Sequence, residues 1–138
     1  MAIGSISLVV LLCGLLASNS AMAASASYQC KVKAEFHLDN DGALKSFPRP
    51  LEVGKVFSVL RESGELIEST ASFWSPNDAV TTVLSNGNAQ NSFVVSYVAP
   101  SRGNGVHATV LQIEDFAASK LKPFLLVSGS GVYSGICH

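Results

Sequence analysis

The residues of this chain that could do chemistry begin with its cysteines. Cys30 and Cys137 stand at the two ends of an otherwise cysteine-free stretch, and Cys13 lies in an apolar N-terminal run. A pair placed in this way forms one disulfide where the compartment oxidises thiols. The loop closed by Cys30 and Cys137 takes in most of the chain, and for such a loop the chain-entropy model gives about 4–5 kcal/mol of stabilisation. The pair implies a compartment and a neighbourhood of the chain ends, but no reaction.

The histidines are His37, His107 and His138. None has a CxxC or HExxH context, so spacing provides no structural zinc site. The run His37-x-Asp39-x-Asp41-Gly42 approaches a calcium loop. Such a loop needs a carboxylate first and a bidentate Glu last, and here those places hold His37 and Pro48, with Lys45 between. An Asx-rich turn without an ion is expected, and neither metal nor cofactor.

The tail Ser128-Gly129-Ser130-Gly131-Val132-Tyr133-Ser134-Gly135 holds no G-x-S-x-G and leaves too few residues after Gly131 for a phosphate-binding helix. It reads as a hairpin turn. Glu62 with Glu65 and Glu114 with Asp115 are carboxylate pairs beside turns or strand ends. Glycoside chemistry requires such a pair at a fixed separation in a cleft, whereas these read as solvated charge. No catalytic residue is assigned, and the expectation is that the protein is not an enzyme. Binding is the better candidate. Phe73 and Trp74, beside Pro76, could form an exposed aromatic anchor. Alternatively, Trp74 folds back over an open end of the domain. Arg102, in the Gly-rich segment 101–105, is the other candidate for partner binding.

The elements that must position these residues read as strands. Over 28–38, Tyr28, Cys30, Val32, Ala34, Phe36 and Leu38 alternate with Gln29, Lys31, Lys33, Glu35 and His37. Period-two patterning of this kind predicts a strand with the first set buried and the second wet. Asp39–Gly42 ends it. A short strand is expected over Ala43–Phe47, before Pro48 and Pro50 remove two donors. Lys55–Arg61 and Glu65–Thr70 flank Glu62-Ser63-Gly64, a hairpin signal. Residues 79–85 could be helix, from the Ser75–Asp78 cap pattern, or strand, from their β-branched content, and the short length favours strand. Asn86-Gly87 reads as the following turn. Phe93–Ala99, Val106–Glu114, Phe124–Ser128 and Val132–Cys137 are further strands, with a helical turn expected over Asp115–Leu121. Cys137 shares parity with Tyr133, so both should face inward. About seven to nine short strands and no long amphipathic helix predict an all-β fold, an antiparallel sandwich or small barrel, with the disulfide joining the first and last strands.

Residues 1–23 contain no charged side chain, and the apolar run Ile6–Ala17 precedes Ala21-Met22-Ala23. The run would make a helix of about 18 Å against a hydrocarbon core of about 30 Å. Its length and the small-x-small ending match a secretory signal peptide, cleaved after Ala23 or alternatively after Ala26. Cys13 would leave with it. The remaining 24–138 form one domain carrying all nine basic and ten acidic side chains, a net charge of −1. Scattered, nearly balanced charge gives no footprint for nucleic acid. No second apolar stretch reaches membrane-spanning length, so the mature chain should be soluble and secreted or periplasmic.

Several short pieces, Phe57–Arg61 with Ser63-Gly64, Asn91-Ser92-Phe93, Leu111–Glu114, Lys122-Pro123-Phe124 and Gly131–Gly135 before Cys137, resemble those of a group of small exported bacterial β-proteins of unknown function. The resemblance implies a bacterial periplasmic or secreted origin and supplies no catalytic residue. The chain is also similar to periplasmic inhibitors of lysozyme, small disulfide-tied β-domains that insert a Ser-Gly-x-x-Tyr loop into their target. Here Ser130-Gly131-Val132-Tyr133 is one residue shorter, and the companion Lys-Gly loop is absent. The functional expectation is an exported, non-enzymatic β-domain that binds a protein or cell-envelope component. The alternatives are an inhibitor of a lysozyme-like hydrolase and a small-ligand carrier, the latter requiring an empty apolar cavity.

Overall fold

The structure, a computed structural model, describes residues 27–71, 79–100 and 105–138. The leader at 1–23, both cleavage sites and Cys13 lie outside the described residues. Among those described there are nine strands and no helix: β1 (Ser27–Leu38), β2 (Leu44–Ser46), β3 (Val56–Leu60), β4 (Leu66–Ser69), β5 (Val80–Asn88), β6 (Asn91–Pro100), β7 (Val106–Ile113), β8 (Lys122–Ser128) and β9 (Gly131–Cys137). They form a single antiparallel sheet in the order β4-β3-β1-β9-β8-β7-β6-β5, with β2 pairing the far half of β1. The sheet curls into a half-barrel. One sheet folded on itself therefore replaces the sandwich alternative.

The concave face holds the core. Phe57 and Val59 of β3, Tyr28, Cys30 and Val32 of β1, Cys137 of β9, Phe124 and Leu126 of β8, Leu111 and Ile113 of β7, and Phe93, Val95 and Tyr97 of β6 are all buried. Aromatic rings span the curl: Tyr28 lies 5.2 Å from Phe93, and Phe57 meets Phe124 edge-on at 5.2 Å. Rings at these separations add to the burial of their area. The concave face is thus lined by packed side chains.

Cys30 and Cys137 are disulfide-bonded, directly opposite one another, with Cα atoms 3.9 Å apart. Beside them Gln29 and His138 exchange both backbone hydrogen bonds, each 3.0 Å. The cysteines therefore take the adjacent non-hydrogen-bonded position, where antiparallel Cα atoms come closest. First and last strands are neighbours, as expected, but they meet inside the sheet. Among the described residues the free edges are β4 and β5, and their gap is bridged by packing. The β3–β4 turn brings Gly64, at φ +72°, against Val95 and Val83, where any Cβ would lie 2.5 Å from Val95 Cγ2. The Tyr97 hydroxyl donates to the Gly64 carbonyl at 2.6 Å.

Three local expectations are corrected. The alternation of β1 does not continue past Val32. A bulge lies between Val32, opposite Gly135, and Ala34, opposite Ser134. One extra residue, Lys33, reverses every side chain that follows. Glu35, expected to be wet, is buried, and Leu38, expected to be inside, is exposed. Asn86-Gly87 is not the β5–β6 turn, because β5 continues to Asn88. The turn falls at Ala89-Gln90, where Asn88 Oδ1 accepts from the N–H groups of Gln90 and Asn91 at 2.7 and 3.0 Å. Asp115–Leu121 forms no helix. The Lys122 ammonium donates to the carbonyls of Asp115 and Ala117 at 2.8 and 2.5 Å, taking the place of helical N–H donors.

Candidate functional site

The partner-binding candidates Phe73, Trp74 and Arg102 lie outside the described residues. Of the remaining sequence candidates, the structure brings together only Cys30 and Cys137. The calcium-like turn is occupied by its own lysine: the Lys45 ammonium contacts Asp39 and reaches Asp41 at 3.5 Å. Hydrogen bonds with Asp41, the Lys45 ammonium and the Asp41 N–H hold the Asp39 carboxyl down at about 2. Among the described residues, no three His, Cys, Asp or Glu side chains gather to hold an ion. Glu62 and Glu65 are exposed. Gly131 and Tyr133, from the lysozyme-inhibitor pattern, are buried on β9 and not displayed on a loop.

Two polar clusters line the ends of the half-barrel. At one end, the bulge turns Glu35 inward, where it is 7% exposed, and its Oε2 accepts the N–H of Glu52 at 2.9 Å. Lys55 lies 3.6 Å from Glu52. Tyr133 leans back over Gly131, where a Cβ would be 2.5 Å from its hydroxyl. Burial, with the nearby Glu35 and Glu52 charges, pushes its phenol up. One strand further on, Ser128 Oγ lies 3.0 Å from His107 Nε2 and 2.8 Å from Thr109 Oγ1. A serine beside an imidazole is half of a nucleophilic site, but an activated base needs a third group to orient it. Among the described residues the His107 ring is held through Nε2 alone. At the opposite end Arg61 binds Asp115 at 2.7 Å and stacks 4.7 Å over the Tyr28 ring. That ion pair ties the end of β3 to the end of β7 across the concave face.

The convex face is different in kind. Reading the registers across strands, Phe36 pairs with Val132, Val132 with Val127, Val127 with Val110, Val110 with Ser96 and Ser96 with Thr82. The first four make an apolar row over β1, β9, β8 and β7, and Val110 and Val127 are each 40% exposed. Leu125, at 47%, stands beside Val127 on the same face. Lys31 and Lys33 of β1, both exposed, border this surface. Charged or polar side chains would normally cover the outer face of an antiparallel sheet. The signal was available in the sequence. Phe124-Leu125-Leu126-Val127 and Val94-Val95 are consecutive apolar residues in antiparallel strands, so one member of each pair must face out. Comparison of the chain with protein-family models, with curated proteins and with solved structures finds no match.

Proposed function

We propose that this chain is an exported, non-enzymatic binding domain, secreted or periplasmic and bacterial, which docks a protein partner on the convex face of its sheet. The observation that carries the reading is the inversion at Lys33, which turns the half-buried Phe36 to the convex face and Glu35 to the inside. Hydrophobicity alone favours the opposite choice, because burying a Phe side chain contributes about 1.5–3 kcal/mol. Departures from local rules of this kind gather at functional or strained sites. Here the departure adds a half-buried aromatic ring to the convex row of Val132, Val127 and Val110, of which Val127 and Val110 are exposed. Apolar surface of this contiguity on a soluble domain marks an interface more often than chance. The bordering Lys31 and Lys33 suit a partner whose apolar patch carries acidic side chains at its margin.

The disulfide is compatible with an oxidising location. Among the described residues, no helix is long and apolar enough to cross a membrane. The test is affinity capture from an envelope extract with the immobilised protein and with a Val110→Glu variant, whose new charge would sit on the convex face. A discrete partner retained by the first and lost by the second supports the reading. Equal retention by both would place the contact elsewhere.

A further inference from the structure

Strands β2 and β3 pair with the same side of β1, at Phe36–Leu38 and Ser27–Lys31, and residues 47–55 connect them past the bulge. This connection is pinned to β1 by its backbone. The Phe47 N–H donates to the Glu35 carbonyl at 3.4 Å and the Gly54 N–H to the Val32 carbonyl at 2.9 Å, while the Lys55 carbonyl accepts from the Val32 N–H at 3.0 Å. Between these points the buried Glu35 carboxylate accepts the Glu52 N–H. The reversal at Lys33 supplies that anchor, because it is what turns Glu35 inward. Pro48 and Pro50 fix two further φ angles. The segment is thus shaped before any partner arrives, which lowers the ordering cost of a contact.

What is held there is apolar and basic. Residues 47–51 are all exposed, and Leu51, at 72%, is the most exposed of the described large apolar residues. Leu44, Phe47, Val53 and Val56 are exposed on either side of it. The cations are Lys45, Arg49 and Lys55, with Lys33 on the bulge, whereas the only acid from 42 to 56 is the buried Glu52. Lys45 is paired with Asp39 and Asp41, and Lys55 with Glu52. Among the described residues Arg49 and Lys33 have no ion pair. The net charge of −1 conceals this local excess. Exposed apolar side chains beside uncompensated cations suit the boundary of an anionic bilayer, where the first reach the acyl chains and the second the phosphates. The prolines add to the fit. Neither has an N–H to strip of water, so burying this backbone where nothing can hydrogen-bond costs less. We propose that residues 47–53 insert into the headgroup region of an anionic lipid bilayer, with Leu51 at the acyl boundary and Arg49 on lipid phosphates.

Flotation of the purified secreted form with vesicles tests this, using phosphatidylglycerol mixed equally with phosphatidylcholine, or phosphatidylcholine alone. The wild-type chain should float with the anionic vesicles and not with the neutral ones. Arg49→Gln should weaken binding about fivefold, the effect of one cation near such a surface. Leu51→Asp should weaken it more than about tenfold. Gln90→Asp places the same charge in the exposed β5–β6 turn and should leave binding unchanged. All three positions are exposed, so the fold stays intact, which far-ultraviolet circular dichroism checks. A wild type that does not float with anionic vesicles overturns the proposal, as does a Leu51→Asp variant that binds as tightly as the wild type. Equal flotation with both lipids overturns it too, because the cations would then contribute nothing. Flotation that requires added envelope protein would assign the segment to a protein instead. The assay contains no protein partner, so its result is separate from capture on the convex face.

Discussion

Joining the chain ends should weaken the hold of the disulfide without touching it. Cys30 and Cys137 are 107 residues apart, and constraining a loop of that size in the unfolded chain is worth about 4.7 kcal/mol. In the folded chain they face each other across β1 and β9, and Gln29 and His138 are hydrogen-bonded beside them. A linker of about four residues from His138 to Ser27 could extend both strands and close them with a two-residue turn. New ends would open at the exposed Ala89-Gln90 turn. In this permutant the disulfide closes a loop of only about ten residues, for which the same relation gives about 2.7 kcal/mol. The assay is urea unfolding of the linear chain and the permutant, each with the cysteines intact and with Cys30→Ala and Cys137→Ala together. The alanine pair should cost the linear chain about 2 kcal/mol more than it costs the permutant. Equal losses in both frameworks would refute the entropic argument. A permutant that cannot fold would refute the adjacency of the ends.

Three further outcomes follow from individual contacts. Gly135→Ala should be strongly destabilising, by about 3 kcal/mol or more in urea unfolding. A Cβ there would overlap the Lys31 carbonyl oxygen and lie 2.7 Å from Phe124 Cε1, and the backbone of the bulged β1 cannot yield as a side chain does; a change within the range of a surface mutation would contradict this packing. Glu35→Ala strands the buried Glu52 N–H and should cost about 1–3 kcal/mol, whereas Glu35→Gln keeps an acceptor and should cost less, so identical losses would argue against the hydrogen bond. All three tyrosines have phenols pushed above their ordinary value, Tyr28 and Tyr97 mainly by burial and Tyr133 by burial with Glu35 and Glu52. A folded-state pKa raised in this way contributes stability that is complete below about pH 10 and falls above it, by about 1.4 kcal/mol per tyrosine for each pH unit until the folded group itself ionises. Phenolate absorbance should therefore appear together with unfolding, and a titration of the intact fold near pH 10 would exclude this burial.

Much of the frame was legible because period-two patterning and turn chemistry act locally. Tyr28, Cys30 and Val32 were placed on the inner face, as were Tyr133 and Cys137, and Glu62-Ser63-Gly64 marked the β3–β4 turn. The disulfide followed from composition. What local pattern could not reveal was the reversal after Val32, because the alternation of Ala34, Phe36 and Leu38 with Glu35 and His37 continues unbroken through Lys33. Pairing with β9 and the buried N–H of Glu52 decide that stretch, and both partners are remote in sequence. The same holds for the clusters at the barrel ends. His107 and Ser128, or Arg61 and Asp115, meet only through strand register. The convex row was partly readable from Leu125-Leu126-Val127, yet its continuity across four strands depends on registers that no single segment contains.

The central claim is that the row of Phe36, Val132, Val127 and Val110 is a contact surface, and a photo-crosslinking side chain at Val127 tests it most directly. The labelled protein would be mixed with an envelope extract and irradiated beside a control labelled at Gln90, in the exposed β5–β6 turn. The account predicts a discrete adduct with another protein from position 127 and none from position 90. No adduct from 127, or the same adducts from both positions, would contradict it.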